Sequence, residues 1–361
     1  MKNKHAKDLG RLFRKELIRW NKFENQRVMP WKGEKDPYRI WLSEIMLQQT
    51  RVEQGLSYYR RFVKEFPTVF DLAAASDTLV FKAWEGLGYY SRCKNLLATA
   101  RFIVSEREGR FPDSYESILA LKGVGPYTAA AIASFAYGLP HAVVDGNVYR
   151  VIARYFGLSL STETVTGKAH FRQIAEQLLD TRNPGSYNQA IMDFGATICK
   201  PVNPLCAGCP LRKNCIAYAQ DRVADFPVKR KKPRIKNRWI LFLLFSYRGK
   251  IFIRKRTSGD VWENLFEFYP LELAKQNDPV FSSPETAIGK LLGKTKYKAG
   301  VMSKPYRQKL SHQLVHARFM PVASALNPGL SDWQAVPRGK LVDYPFPRII
   351  AQYLKDEKMY L

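Results

Sequence analysis

Residues 121–130 decide the fold and read Leu-Lys-Gly-Val-Gly-Pro-Tyr-Thr-Ala-Ala. Apolar residues at helical spacing lie on both sides, so we predict a helix that ends at Gly123 and Gly125 and another that begins near Tyr127. Glycine permits positive φ and a close backbone approach, and the second helix offers free N–H groups to an anion. An ordinary inter-helix turn would use the same residues. In a strongly basic chain we favour phosphate binding.

The chain around this hairpin is predicted to be helical as far as residue 226, with no convincing strand signal before Pro227. The predicted helices span residues 9–22, 38–50, 77–84, 93–107, 114–121, 128–137, 148–156, 167–179 and 187–199. Beyond residue 238, apolar and alternating segments at 239–247 and 251–256 flank a short turn and predict a β-hairpin. The expected fold is multidomain: an all-α domain over residues 1–226 and a smaller α+β domain over 239–361.

Positive charge dominates, since 58 Lys and Arg oppose 32 Asp and Glu for a formal net charge of +26. Up to Phe226 there are 32 basic and 22 acidic residues, and the shorter remainder holds 26 and 10. We interpret residues 227–238, which carry a run of basic side chains, as a linker that can also gain phosphate affinity through counterion release. The expected partner is a polyanion, either nucleic acid or an anionic membrane surface.

Several protein classes are excluded by composition. Apolar residues at 46% and charged residues at 25% exclude wholesale disorder. The longest apolar run, residues 239–245, is far shorter than the roughly 20 residues of a spanning helix, so we expect no membrane insertion. The basic N-terminus is not followed by a continuous apolar core, so we expect no secretion signal and a cytoplasmic location.

Four of the five cysteines crowd into one loop, at Cys199, Cys206, Cys209 and Cys215. Disulfides are not expected without a secretion signal. Structural zinc commonly uses two short Cys pairs, and only Cys206 and Cys209 form one. Four thiolates in a compact loop suit a cubane iron–sulfur cluster, because each iron takes one Cys. The spacing favours the cluster and leaves zinc as the alternative.

Two carboxylates could carry acid–base chemistry. Glu44 has Ile40 and Trp41 one turn away, and an apolar environment would raise its pKa and suit it to donate a proton. An exposed Glu at the margin of the apolar face is the plainer alternative. Asp145 directly precedes the helix at 148–156, where an N-cap is the commoner role. Hydrolysis of a glycosidic bond also requires two carboxyl groups of this kind. One has a raised pKa and donates a proton, and the other is kept ionised by neighbouring N–H groups.

Six segments of the chain point to one enzyme family: residues 29–31, 41–52, 86–92, 121–129, 144–148 and 199–215. In these segments, and in their order, the chain resembles the adenine DNA glycosylases of the MutY type, in the helix-hairpin-helix, iron–sulfur superfamily that includes endonuclease III. The resemblance covers residues 9–226 and implies that the four cysteines hold a 4Fe-4S cluster.

The resemblance implies a monofunctional base-excision-repair glycosylase that hydrolyses the N-glycosidic bond of adenine mispaired with 8-oxoguanine or guanine, after flipping the adenine out of the duplex. Glu44 matches the acid that protonates adenine N7, and Asp145 the carboxylate that stabilises the oxocarbenium-like sugar. Tyr127 and Asn147 match residues that position these groups. Further matches are Arg27, Met29, Trp31 and Gln189 in the adenine pocket, and Gln49 and Tyr89 beside the mispair. Without the resemblance, Met29, Trp31 and Tyr89 would be assigned to packing.

One position separates the subfamilies. Endonuclease III-like enzymes, which act on damaged pyrimidines, have a catalytic Lys after the hairpin that cleaves the strand. Tyr127 occupies that position here, and Lys122 lies before the first glycine, on the wrong side. We therefore expect little strand cleavage, with a pyrimidine-damage glycosylase/lyase as the alternative.

The C-terminal domain is similar to the Nudix-like domain with which this family recognises 8-oxoguanine. Residues 262–268 and 310–313 carry this similarity, and the Glu-rich helix motif of Nudix hydrolases is absent. Ser311 and His312 are expected to contact the lesion, although Leu310 replaces the aromatic residue of better-known members. The resemblance thus implies a monomer that acts on mispaired double-stranded DNA, in the nucleoid if the source is bacterial.

Overall fold

A computed structural model describes residues 4–228, 235–257, 259–276 and 278–359. The described residues up to 228 are helical, as predicted, and those from 235 onward form a mixed sheet with two helices. None of the described helices is both long and apolar enough to cross a membrane.

The helices before residue 228 follow the predicted segments with three additions. The helices at residues 52–65, 69–74 and 216–219 are not predicted; the first of them buries only Gly55, Tyr59 and Phe62, which is a weak apolar stripe. The helices are α1 (Lys4–Phe23), α2 (Pro37–Leu47), α3 (Val52–Glu65), α4 (Val69–Ala74), α5 (Asp77–Trp84), α6 (Tyr90–Arg107), α7 (Tyr115–Leu119), α8 (Pro126–Ala136), α9 (Gly146–Phe156), α10 (Val165–Leu178), α11 (Pro184–Thr197) and α12 (Ile216–Ala219).

A single apolar cluster holds α1, α8, α9, α10 and α11 together. Phe13 and Leu17 of α1 are fully buried in it, and small residues such as Ala131 let α8 approach its neighbours closely. Helix α8 packs against α2, α7 and α11, and α9 packs against α11. The packing therefore brings the first turns of α8 and α9 into the same region as α2 and α11.

The later residues form a sheet around one long strand, β1 (Lys236–Tyr247). It runs parallel to β7 (Gln313–Ser324) and antiparallel to β4 (Tyr269–Leu273), and residues 240–245 are buried because both faces of the strand are covered. Two helices, α13 (Glu285–Leu292) and α14 (Arg348–Asp356), accompany it. The strands are β1 (Lys236–Tyr247), β2 (Lys250–Lys255), β3 (Phe266–Glu267), β4 (Tyr269–Leu273), β5 (Tyr297–Ala299), β6 (Tyr306–Lys309), β7 (Gln313–Ser324) and β8 (Gln334–Pro337).

The predicted hairpin is confirmed at its turn but is short. Arg248 and Gly249 have φ of 48° and 73°, as a two-residue hairpin turn with both central residues at positive φ requires. Strands β1 and β2 then pair at only two positions. β2 continues against β8 and β3, because β4 and β7 occupy the two sides of β1.

The chain divides into two compact units, and the division differs from the predicted domain boundary. One unit comprises Met1–Ala73 and Ala98–Lys231, and the other comprises Ala74–Leu97 and Lys232–Leu361. Residues 74–97, which the sequence assigns to the helical domain, therefore group with the sheet. The predicted basic linker falls mainly on residues 229–234, which lie outside the described residues, and Lys236 already belongs to β1.

Candidate active site

The predicted hairpin is formed by α7, a glycine turn and α8. Gly123 has a φ of +81°, which glycine adopts at little cost, and Gly125 is the N-cap of α8 without a side-chain capping bond. A Cβ on Gly125 would meet no atom within 4 Å. The space beside the Gly125 Cα is therefore open, and phosphate binding at this turn stays a prediction.

Glu44 lies on α2 and is 6% exposed. Burial raises the pKa of its carboxyl to about 7, a hydrogen bond with Tyr127 opposes the rise, and the negative charge of Asp145 adds to it. The plainer expectation of an exposed helix Glu is therefore wrong. A carboxyl with a pKa near neutrality can carry a proton into a reaction and release it afterwards.

Asp145 is the N-cap of α9, and its Oδ1 accepts a hydrogen bond of 2.8 Å from the Val148 backbone N–H. Its Oδ2 accepts another of 2.8 Å from the Asn147 amide. The sequence predicts a carboxylate kept ionised, but burial raises the pKa of Asp145, while these hydrogen bonds and the charge of Arg150 oppose the rise. The side chain that caps α9 is thus the same one that the sequence analysis assigns to the site.

Asn147 is held from its other end. Its Oδ1 accepts a hydrogen bond of 2.7 Å from Arg150, whose guanidinium also donates to the carbonyl of Gly195 at 2.7 Å. A Cβ on Gly195 would lie 2.6 Å from the Cβ of Asn147. Close packing between α9 and α11 therefore fixes the amide that supports Asp145.

A cavity of about 260 Å³ joins three of the predicted residues, Trp31, Glu44 and Gln189. Lys32, which the sequence does not single out, also lines it. Met29 is half-buried and is not among the described residues that form its wall.

Asp193 is the functional candidate that the sequence does not reveal. It is fully buried in α11 and accepts hydrogen bonds from Arg27 and Gln189, each at 2.9 Å. The sequence does hold one signal for it: Asp193 lies within an apolar helical segment, residues 190–194, which predicts that it is buried. A buried carboxylate requires hydrogen-bond or charged partners. Through Asp193, Arg27 is connected to the cavity wall.

Gln49 and Tyr89 share an unusual backbone state. Each is exposed, and their φ angles are 55° and 49°. Positive φ is uncommon for residues other than glycine and is concentrated at functional sites. Tyr89 also lies 2.8 Å from Ser311, hydroxyl to hydroxyl, within the unit that contains the sheet. His312 follows in the turn before β7, where its carbonyl accepts a hydrogen bond from Lys236.

The four clustered cysteines line a second and much smaller cavity, of about 30 Å³. Arg154 accompanies them, with its Nη1 3.4 Å from the Cys199 sulfur. Cys206, Cys209 and Cys215 complete the set. Among the described residues, no three His, Cys, Asp or Glu side chains lie close enough together to hold a single metal ion.

Comparison with known proteins gives one matching family and many relatives. Residues 42–177 match the HhH-GPD superfamily base excision DNA repair protein. An adenine DNA glycosylase of Buchnera aphidicola from Schizaphis graminum is 35% identical over 259 residues, 71% of this chain and 74% of the relative. The human adenine DNA glycosylase is 41% identical over 214 residues, 57% of this chain and 39% of that protein.

Solved structures show the same helical fold. A thermostable thymine-DNA glycosylase superposes with a TM-score of 0.56 at 31% identity, covering 60% of this chain and 99% of that one. A non-covalent endonuclease III–DNA complex superposes with a TM-score of 0.52 at 18% identity, covering 61% and 99%. The second likeness concerns the fold alone.

Proposed function

We propose that this chain, which belongs to the adenine DNA glycosylase family, hydrolyses the N-glycosidic bond of adenine mispaired with 8-oxoguanine or guanine in double-stranded DNA. The observation that carries the proposal is the buried Glu44, whose pKa is raised to about 7 at the edge of a cavity of about 260 Å³. A base can reach such a recessed carboxyl only after it leaves the duplex stack.

The residues divide the chemistry between two carboxyls. Glu44, protonated near neutral pH, donates its proton to adenine N7, so the base departs as a neutral molecule. Asp145 then offers negative charge to the oxocarbenium-like sugar, with its orientation fixed by Val148 and Asn147. Water completes the hydrolysis. Tyr127, which replaces the lysine of strand-cleaving relatives, has no amine to attack the sugar, and we propose a monofunctional enzyme.

The test is single-turnover release of adenine from 8-oxoguanine·A, G·A and T·A duplexes, with Glu44→Gln as the inactive control. We expect release from the first two and little from the third. Equal release from all three would refute the lesion-specific proposal. Strand cleavage without base or heat is measured in parallel, and cleavage that keeps pace with adenine release would refute the monofunctional assignment.

We also propose that the loop from Cys199 to Cys215 holds a 4Fe-4S cluster. A cubane takes one thiolate at each iron, so its ligands surround a cavity, and the four cysteines line one. The cluster would fix the loop, whose Lys200 and Arg212 can then face DNA phosphates. Anaerobically purified protein should be brown and contain iron and sulfide; zinc in place of iron would refute this assignment.

For the C-terminal unit we propose a Nudix-like, lesion-recognising role centred on Ser311 and His312. Both lie in the tight turn between β6 and β7, where Leu310 N–H donates to the Gln313 carbonyl. Replacing both residues by alanine should reduce the preference for 8-oxoguanine·A over G·A. Release from G·A should stay close to wild type, because the residues that act on adenine are untouched. An unchanged preference would contradict this role.

A further inference from the structure

Asp193 has no exposed surface, yet four side chains donate hydrogen bonds to it. Oδ1 accepts from Arg27 Nη1 and Gln189 Nε2, each at 2.9 Å. Oδ2 accepts from Asn25 Nδ2 at 2.9 Å and from Lys32 Nζ at 3.0 Å. Each oxygen is thus bonded to two donors, which compensates for burying the charge.

These donors come from two places. Gln189 lies one turn before Asp193 on α11, and the others belong to the segment between α1 and α2. Lys32 Nζ also donates to the Arg27 carbonyl at 3.0 Å, so it ties that segment to itself as well as to α11. The same segment contributes Trp31 to the cavity wall. The buried carboxylate is therefore the point at which the segment is attached to the helix.

The hydrogen bond to Gln189 has a chemical consequence. An ionised carboxylate only accepts hydrogen bonds, so Asp193 selects the NH₂ end of the Gln189 amide. Gln189 is part of the cavity wall, and its carbonyl oxygen is the amide atom that Asp193 does not bind. A carbonyl oxygen accepts a hydrogen bond from the exocyclic amino group of adenine and repels the 6-oxo group of hypoxanthine or guanine.

We propose that Asp193 is a positioning residue that fixes the orientation of the Gln189 amide and so makes the cavity specific for a 6-aminopurine. This inference rests on the proposed function, which places the flipped adenine in that cavity. Arg27 and Lys32 also contribute to this orientation, because their positive charges balance the charge of the buried carboxylate and keep it a hydrogen-bond acceptor.

The test measures binding to duplexes that cannot be hydrolysed. Four duplexes carry, opposite 8-oxoguanine, a 2′-fluoro nucleoside of adenine, of unsubstituted purine or of hypoxanthine, or a tetrahydrofuran abasic analogue. Wild type should bind the duplex with adenine about tenfold more tightly than the duplex with purine. It should bind the duplex with hypoxanthine more weakly than the duplex with purine. In Asp193→Asn the new amide can donate to the Gln189 carbonyl, so the preference for adenine over purine should fall to about twofold or less. Affinity for the abasic analogue should be unchanged.

The control is Asp8→Asn, which removes the same charge from a surface pair with Arg11. The variant Gln189→Ala should lose the same preference, and adding Asp193→Asn to it should cause no further loss. An Asp193→Asn protein that keeps the adenine preference, or that loses affinity equally for all four duplexes, overturns the proposal. If that variant does not fold, the wild-type protein alone tests the proposal. Tighter binding of the hypoxanthine duplex than of the purine duplex would mean that the nitrogen of the Gln189 amide faces the base, which would overturn the proposal. Because no duplex is cleaved, failure of wild type to release adenine in the separate assay refutes the proposed function alone.

Discussion

Glu44→Gln should abolish base release and, above neutral pH, make the protein more stable. Burial raises the pKa of Glu44 from 4.5 to about 7. Above pH 4.5 the unfolded chain releases this proton, while the folded chain keeps it until about pH 7. The contribution of Glu44 to the free energy of unfolding therefore falls as pH rises through this window and is constant above it. Glutamine has no proton to lose and avoids the cost.

The magnitude follows from the two pKa values. They differ by about 2.5, and one pKa unit corresponds to about 1.4 kcal/mol, so ionised Glu44 costs the folded state about 3 kcal/mol at pH 8. That is a large part of the 5–15 kcal/mol that is typical of folded domains. The cost is consistent with a group kept for reaction rather than for folding.

The assay is urea unfolding at pH 5 and pH 8, followed by far-ultraviolet circular dichroism, which is dominated by α1–α12. The free energy of unfolding of the variant should exceed that of wild type by about 3 kcal/mol at pH 8 and by much less at pH 5. The control Glu53→Gln, at an exposed position of α3, should change stability by no more than about 0.5 kcal/mol at either pH. A Glu44→Gln protein that is no more stable than wild type at pH 8 would refute the raised pKa and the acid role built on it.

Three further outcomes follow from the site. Tyr127→Phe removes a hydrogen bond that lowers the pKa of Glu44, so the pH at which single-turnover release begins to fall should move upward; a downward move would contradict this. Gly195→Ala places a methyl group against Asn147 and should lower the free energy of unfolding by about 1–3 kcal/mol, measured by heat or urea, and slow base release. Wild-type stability together with wild-type base release would show that α9 and α11 can separate freely. Cys209→Ser should lower DNA affinity and solubility before it changes the rate of bond cleavage at saturating protein, and a soluble variant with unchanged affinity would exclude the cluster as a DNA-binding element.

Local signals in the sequence predicted local structure well. α5 has its predicted bounds because Ser76 caps it and apolar residues face one side. Asp145 was recognisable as an N-cap from its place before a helix, and the turn at Gly249 from its glycine. In each case the residues that determine the structure are neighbours in the chain.

Long-range structure was predicted less well. The parallel pairing of β1 with β7 joins segments about 80 residues apart, and no local pattern encodes that register. The grouping of residues 74–97 with the sheet has the same origin. At the site, the apolar neighbours of Glu44 made it a candidate, and the resemblance singled out Gln189. Asp193 is fully buried, and its hydrogen-bond partners become visible only in three dimensions.

The double role of Asp145 has a consequence for inherited or engineered loss of function. Asp145→Ala removes both the reactive carboxylate and the cap of α9, and losing such a cap costs about 1 kcal/mol. In a cell, a loss of that size can lower the amount of folded protein severalfold, whereas Glu44→Gln leaves an inactive protein that accumulates. If the proposed function holds, mutations at the two carboxyls would then have different consequences. Asp145→Ala would lower the amount of enzyme, whereas Glu44→Gln would leave a stable, inactive protein that competes with other repair proteins for the same DNA site.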